Sequence, residues 1–81
     1  MREHTMSQAE SVLDALGGWD NIEDIEACIT RIRVEVDDDS LVDEAALKQA
    51  GAFGVVKVGT SIQVVMGPQA DAIVSDIEDL R

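Results

Sequence analysis

One short run, EACITRIRVEV over residues 26–36, holds the chain's single cysteine and two of its six basic residues. Cys28, Arg31 and Arg33 are the side chains whose types and spacing carry chemistry. A thiolate is a nucleophile, and a neighbouring guanidinium favours it over the neutral thiol. The same planar forks bind the oxygens of a phosphate or another oxyanion. The chemistry implied is a covalent thiol intermediate beside an anion clamp, to which backbone amides of the C-I-T-R turn would add donors.

The competing reading is plain. A lone cysteine in a small domain is commonly an inert buried side chain, and surface arginines opposite a glutamate commonly make only weak pairs. The elements around the run bear on the choice. Residues 22–28 and 31–36 alternate at period two, with Ile25, Ala27, Ile32, Val34 and Val36 on one face and Glu26, Cys28, Arg31, Arg33 and Glu35 on the other. A turn centred on Ile29 and Thr30 pairs Cys28 with Arg31, Ala27 with Ile32, Glu26 with Arg33 and Ile25 with Val34. Cys28 then falls on the polar face, with the two arginines one pleat repeat apart, roughly 7 Å. On spacing alone the inert and the reactive readings are evenly balanced.

The rest of the chain must hold that hairpin. Residues 5–16 place Met6, Ala9, Val12, Leu13 and Leu16 on one helical face, with Ser7 and Glu10 at capping-box spacing and glycines at 17 and 18 to end it. The D-D-D-S run at 37–40 predicts a turn and a helix N-terminus, the helix running from about 42 to 50 and stopping at Gly51. Residues 54–58 and 62–66 form a second hairpin around G-T-S, where Gly59 supplies the positive φ of a tight turn. Pro68 opens a last helix whose apolar face is Ala70, Ile73, Val74, Ile77 and Leu80. The order is α-β-β-α-β-β-α, a two-layer α+β domain with helices on one face of an antiparallel sheet.

Composition narrows the function classes. With 81 residues the chain forms a single domain spanning 1–81, and with 46% apolar but 2% aromatic residues its core must be aliphatic. Seventeen acidic against six basic residues, a formal charge of −11, disfavour nucleic acid and anionic lipid. One cysteine forms no internal disulfide, and no segment reads as a membrane span or a secretory signal, so the expectation is a cytoplasmic protein without direct membrane insertion. His4 stands alone near the terminus, and no second cysteine or histidine cluster completes a metal site. No Walker pattern or Ser-His-Asp motif is present.

Three segments, NIEDIEACITRIRVEV, VDEAALKQAGAFGVV and GTSIQVVMGPQAD, taken in this order, resemble the cytosolic B component (EIIB) of the bacterial sugar phosphotransferase system, glucose and N-acetylglucosamine family. The resemblance covers nearly the whole chain. It implies that Cys28 accepts a phosphoryl group from a phosphohistidine of the A component and passes it to a sugar held by the membrane-embedded C component. It further implies that Arg31 and Arg33 belong to the site, that the amides of Ile29 and Thr30 line the phosphate, and that the strand order is 1-2-4-3. No metal and no cofactor beyond the transient phosphocysteine is implied. The expected protein is a monomer that meets the inner face of the cell membrane through the C component, either free-standing or one part of a longer chain.

Many relatives carry Leu-Asp where Ile25 and Glu26 stand, a conservative departure that keeps an acid opposite Arg33. The charge of −11 raises a tension with a docking face that in this family is commonly apolar with acidic edges; it is resolved if apolar side chains such as Ile29 and Val65 surround the arginines. Two rival functions are a non-catalytic regulatory α+β module, which tolerates loss of the thiol, and a single-cysteine redox sensor, which oxidises under mild peroxide.

Overall fold

A computed structural model of the chain describes residues 7–80. Alternating apolar and polar side chains become strands β1 (Ile22–Cys28), β2 (Arg31–Val36), β3 (Gly54–Val58) and β4 (Ser61–Val65), and the helically spaced runs become α1 (Gln8–Ala15), α2 (Glu44–Gln49) and α3 (Ala70–Asp79). The four strands form one sheet in the order β1-β2-β4-β3, every neighbouring pair antiparallel. This is the α+β arrangement expected from the sequence.

Period-two alternation dictates where the core lies. Ile25, Ile32, Val34, Ile62 and Val64 point from the sheet towards Ala9, Val12, Leu16, Leu47, Ile73, Val74 and Ile77 of the helical layer, and all are buried. Burial of each larger aliphatic side chain contributes about 1.5–3 kcal/mol before the entropy of ordering it is subtracted. Trp19 packs at the margin of this cluster, whereas Phe53 stays 77% exposed.

Local chemistry sets the element ends. Ser7 and Glu10 form the reciprocal capping box, with the Ser7 hydroxyl accepting from the Glu10 amide at 3.1 Å and the Glu10 carboxylate accepting from the Ser7 amide at 2.8 Å. Beyond α1 the chain turns through Gly17 at φ 101°, where a Cβ would stand 2.8 Å from the Asn21 amide nitrogen. Asn21, buried, donates to the Leu16 and Asp38 carbonyls at 2.8 and 3.0 Å and accepts from the Asp38 amide at 2.9 Å. It thereby ties the end of α1 to the exit of β2.

Several boundaries differ from expectation. The helix predicted over 42–50 is shorter and begins at Glu44, because the Asp38 carboxylate accepts from the amide and hydroxyl of Ser40 and spends the D-D-D-S run on a 3-10 turn, Asp39–Leu41. Asp43 caps α2 instead, accepting from the Ala46 amide at 3.1 Å. A bulge at Glu23, between the pairs Ile22↔Val36 and Asp24↔Glu35, shifts the phase of β1 so that Ile22 reaches the core and Glu23 is exposed. β4 starts at Ser61, one residue early, and Pro68 lies in a 3-10 turn, Gly67–Gln69, that leads into α3. Leu80, predicted for the core face of α3, is 42% exposed one residue past the helix end. Met6 and His4 lie outside the described residues.

Candidate functional site

The sheet face opposite the helices carries the candidate site, and the strand register orders it in rows. The row nearest the β1–β2 turn reads Cys28, Arg31, Val65 and Gly54 across the sheet. The next reads Glu26, Arg33, Gln63 and Val56, and the third Asp24, Glu35, Ser61 and Val58. Cys28 is exposed and lies directly opposite Arg31, as the period-two reading predicted; a buried, inert thiol is thereby ruled out. Arg33 stands one pleat further along on the same face.

The two arginines have different partners. Arg31 Nη1 donates to the Gln63 amide oxygen at 3.0 Å. Arg33 Nη1 lies 3.3 Å from a Glu26 carboxylate oxygen, in an ion pair whose side chains are 60% and 55% exposed. An ion pair that open to water is worth well under about 1 kcal/mol, so an arriving anion can compete for the guanidinium. Gln63 was not singled out from the sequence; its place on the outward face of a two-residue alternation was the available signal, but its partner is set only by the pairing of β2 with β4.

Between the two strands, Ile29 and Thr30 form the turn, with Ile29 at φ 55° and 85% exposed. The Thr30 carbonyl accepts from the amides of Met66 and Gly67, each at 2.9 Å, which ties the turn to the segment that opens α3. Among the described residues, the amides of Ile29 and Thr30 donate to no protein acceptor. Phe53, whose amide donates to the Val65 carbonyl at 2.7 Å and whose ring lies against Gly67, brings a second exposed apolar side chain to this end. Ile29 was expected beside the arginines from the sequence; Phe53 was not, because the edge position of β3 that brings it here is set only by the strand order.

Charge is segregated along the face. The acids Asp24 and Glu35 lie at the end away from the turn, with Glu35 accepting from the hydroxyls of Thr60 and Ser61. At the bulge, a side-chain hydrogen bond in which protonated Glu23 donates to Asp37, and then the charge of Asp37, raise the carboxyl of Glu23 above its ordinary value of 4.5. Asp38 is lowered from 3.8, chiefly by its hydrogen bonds from Ser40. A shallow groove lined by Glu26, Arg33, Glu35, Ser61 and Gln63 runs beside the arginines without including Cys28. The thiol thus stands on an open surface, a geometry suited to meeting a group presented by another macromolecule rather than to enclosing a small molecule.

Residues 10–43 match the family described as phosphotransferase system, EIIB. The chain is 62% identical over 74 residues to the PTS system N-acetylglucosamine-specific EIIB component of Streptomyces coelicolor, covering 91% of this chain and 96% of that protein. It is 51% identical over 69 residues to the PTS system glucoside-specific EIICBA component of Staphylococcus carnosus, covering 85% of this chain and 10% of that much longer protein. Among solved structures, the crystal structure of one domain of the PTS system IIabc component from Clostridium difficile superposes with a TM-score of 0.69 at 26% identity, covering 89% of this chain and 73% of that one.

Proposed function

The chain belongs to the phosphotransferase system EIIB family and is a phosphotransfer component of a sugar phosphotransferase system; from that membership we propose that Cys28 is the residue that carries the phosphoryl group. The observation that carries the reading is the exposed thiol directly opposite Arg31, with Arg33 on the same face. In the first step Sγ attacks the phosphorus of a phosphohistidine on the A component. The S–P bond forms, the N–P bond breaks, and the imidazole takes up the proton the thiol gives up. In the second step a sugar hydroxyl held by the C component attacks the same phosphorus. The O–P bond forms, the S–P bond breaks, and the departing thiolate regains a proton as the hydroxyl loses one.

Phosphoryl transfer asks its surroundings for alignment and for cationic stabilisation of the equatorial oxygens. Arg31 and Arg33 supply the cations, and the unclaimed amides of Ile29 and Thr30 supply further donors. The exposed Ile29 and Phe53 and the half-buried Val65 form an apolar rim that lets an acidic chain dock its partner at the one end of the face where carboxylates are sparse. The sugar is of the glucose type, and the Streptomyces relative makes N-acetylglucosamine the first candidate. The fusion of B to C and A in the staphylococcal relative supports those two components as partners. Among the described residues no helix is long and apolar enough to cross a membrane. In the proposed role the domain, residues 1–81, works as a monomer and meets the C component at the cytoplasmic face of the membrane.

The test is intact-protein mass after incubation with phosphoenolpyruvate, the general phosphotransferase proteins and a glucose-family A component. A single phosphoryl adduct on the wild type and none on Cys28→Ser is the expected result. An adduct retained by Cys28→Ser sinks the assignment, and no adduct on the wild type from a demonstrably phosphorylated donor returns the chain to a regulatory role.

A further inference from the structure

We propose that Glu26 is a positioning residue that keeps the phosphoryl group on Cys28 easy to transfer, by holding Arg33 in an ion pair and by placing its own carboxylate beside the phosphocysteine. The inference rests on the assignment of Cys28 as the phosphoryl carrier. Glu26 and Cys28 are two residues apart on β1 and share its outer face, both exposed. One pleat repeat separates them, about 7 Å. Glu26 reaches across to Arg33 at 3.3 Å, so one guanidinium of the site already has a carboxylate partner before any phosphoryl group arrives.

A phosphorylated Cys28 changes that balance. The new group bears close to two negative charges, and it and Glu26 then compete for Arg33 while repelling each other. Both effects have the same sign: each raises the free energy of the phosphocysteine relative to the free thiol. Arg31 differs, because its partner Gln63 is a neutral amide that leaves the charge of the guanidinium uncancelled. The face thus holds one uncancelled cation for capturing the phosphoryl group and one cancelled cation that limits how tightly it is kept. A carrier that must hand on its cargo needs both properties, since an intermediate bound too deeply slows the next step.

The experiment measures the equilibrium ratio of phosphorylated to free Cys28 against a fixed A component, by intact mass, at low and high salt. Glu26→Gln is expected to shift the equilibrium towards phosphocysteine by roughly three- to tenfold at low salt, the size set by a carboxylate and a dianion about 7 Å apart in water. The shift should shrink at high salt. Gln63→Glu, which places a second carboxylate on Arg31, is expected to move the ratio in the opposite direction, and Glu26→Asp to stay near the wild type. Circular dichroism of each variant separates these shifts from loss of fold. A Glu26→Gln ratio equal to or below that of the wild type, or a shift indifferent to salt, overturns the proposal. Failure of the carrier assignment has a different signature, an adduct that survives Cys28→Ser.

Discussion

At φ 55°, Ile29 holds a left-handed backbone that β-branched residues avoid, next to the thiol it helps present. The second hairpin is an internal comparison: its turn, Gly59–Thr60, also begins at a positive φ, 61°, but with glycine. Ile29 is 85% exposed, so its side chain gains little from burial, and Ile29→Gly is expected to leave the fold as stable as before or more stable by up to about 1 kcal/mol. The reverse change, Gly59→Ile, meets no atom within 4 Å of the new Cβ and should cost about 1–2 kcal/mol from the backbone alone. Chemical denaturation of both variants checks the pair. If Ile29→Gly instead lowers stability by more than a glycine's extra unfolded-state entropy accounts for, the side chain makes a contact that its exposure conceals. Losing phosphoryl transfer while gaining stability would mark Ile29 as a docking residue. Cys28, Arg31 and Arg33 were legible in the sequence because period two fixes the face of a strand residue once the turn is located. Their partners were legible only in part: Glu26 follows from the β1–β2 hairpin, which is local, whereas Gln63 lies 32 positions from Arg31 on another strand.

A few polar clips hold the elements to one another. Asn21 is the strongest, since its side chain uses both donor hydrogens and its oxygen on backbone groups of Leu16 and Asp38 at a buried position. Asn21→Ala strands those groups and should destabilise the domain by about 1–3 kcal/mol, read as a lower denaturation midpoint with unchanged slope. Asn21→Asp restores only the acceptor and is expected to recover part of that loss at most. A stability within a few tenths of the wild type for Asn21→Ala would mean that water replaces the side chain. The start of α2, which sequence reading placed differently, has a definite cause. In the D-D-D-S run and at Asp43, several residues suited to capping stand close together, and which one caps is decided by the Asp43 amide donating to the Ala15 carbonyl at 2.8 Å, a contact between the ends of two elements. The bulge at Glu23 was likewise invisible to a strict alternation, because it is the core's demand for Ile22 that resets the register.

For the molecule as a whole, charge is the dominant perturbation, −11 spread over a small domain. Repulsion among carboxylates opposes the compact state, so thermal stability should rise between low and moderate ionic strength. Glu23 and Asp37 concentrate that repulsion at the bulge. The raised carboxyl of Glu23 means that the folded state holds its proton more tightly than the unfolded chain, so this group disfavours folding once pH exceeds the folded value and ceases to do so as pH falls through it. Glu23→Gln is therefore expected to raise the melting temperature at pH 7 and to have little effect below about pH 4. Asp38 works in the opposite direction: its lowered carboxyl stabilises the fold above its ordinary value of 3.8 and loses that contribution as pH falls through the folded value. Melting temperatures of the wild type, Glu23→Gln and Asp38→Asn across pH 3 to 8 resolve the two contributions. An unchanged or lower melting temperature for Glu23→Gln at pH 7 would refute the account of the bulge.

By itself the sequence determined the aliphatic core, the order of seven elements and the outward facing of Cys28 with its two arginines, because strand and helix periods and short turns are local properties of the chain. Its C-I-T-R run and flanking segments also carried the family resemblance that comparison then bore out. It took the tertiary structure to decide that Gln63 bonds Arg31 and that Phe53 lies exposed beside the turn. Each of these depends on β4 lying between β2 and β3, and such long-range pairing is chosen by the packing of the whole apolar face rather than by any segment read alone.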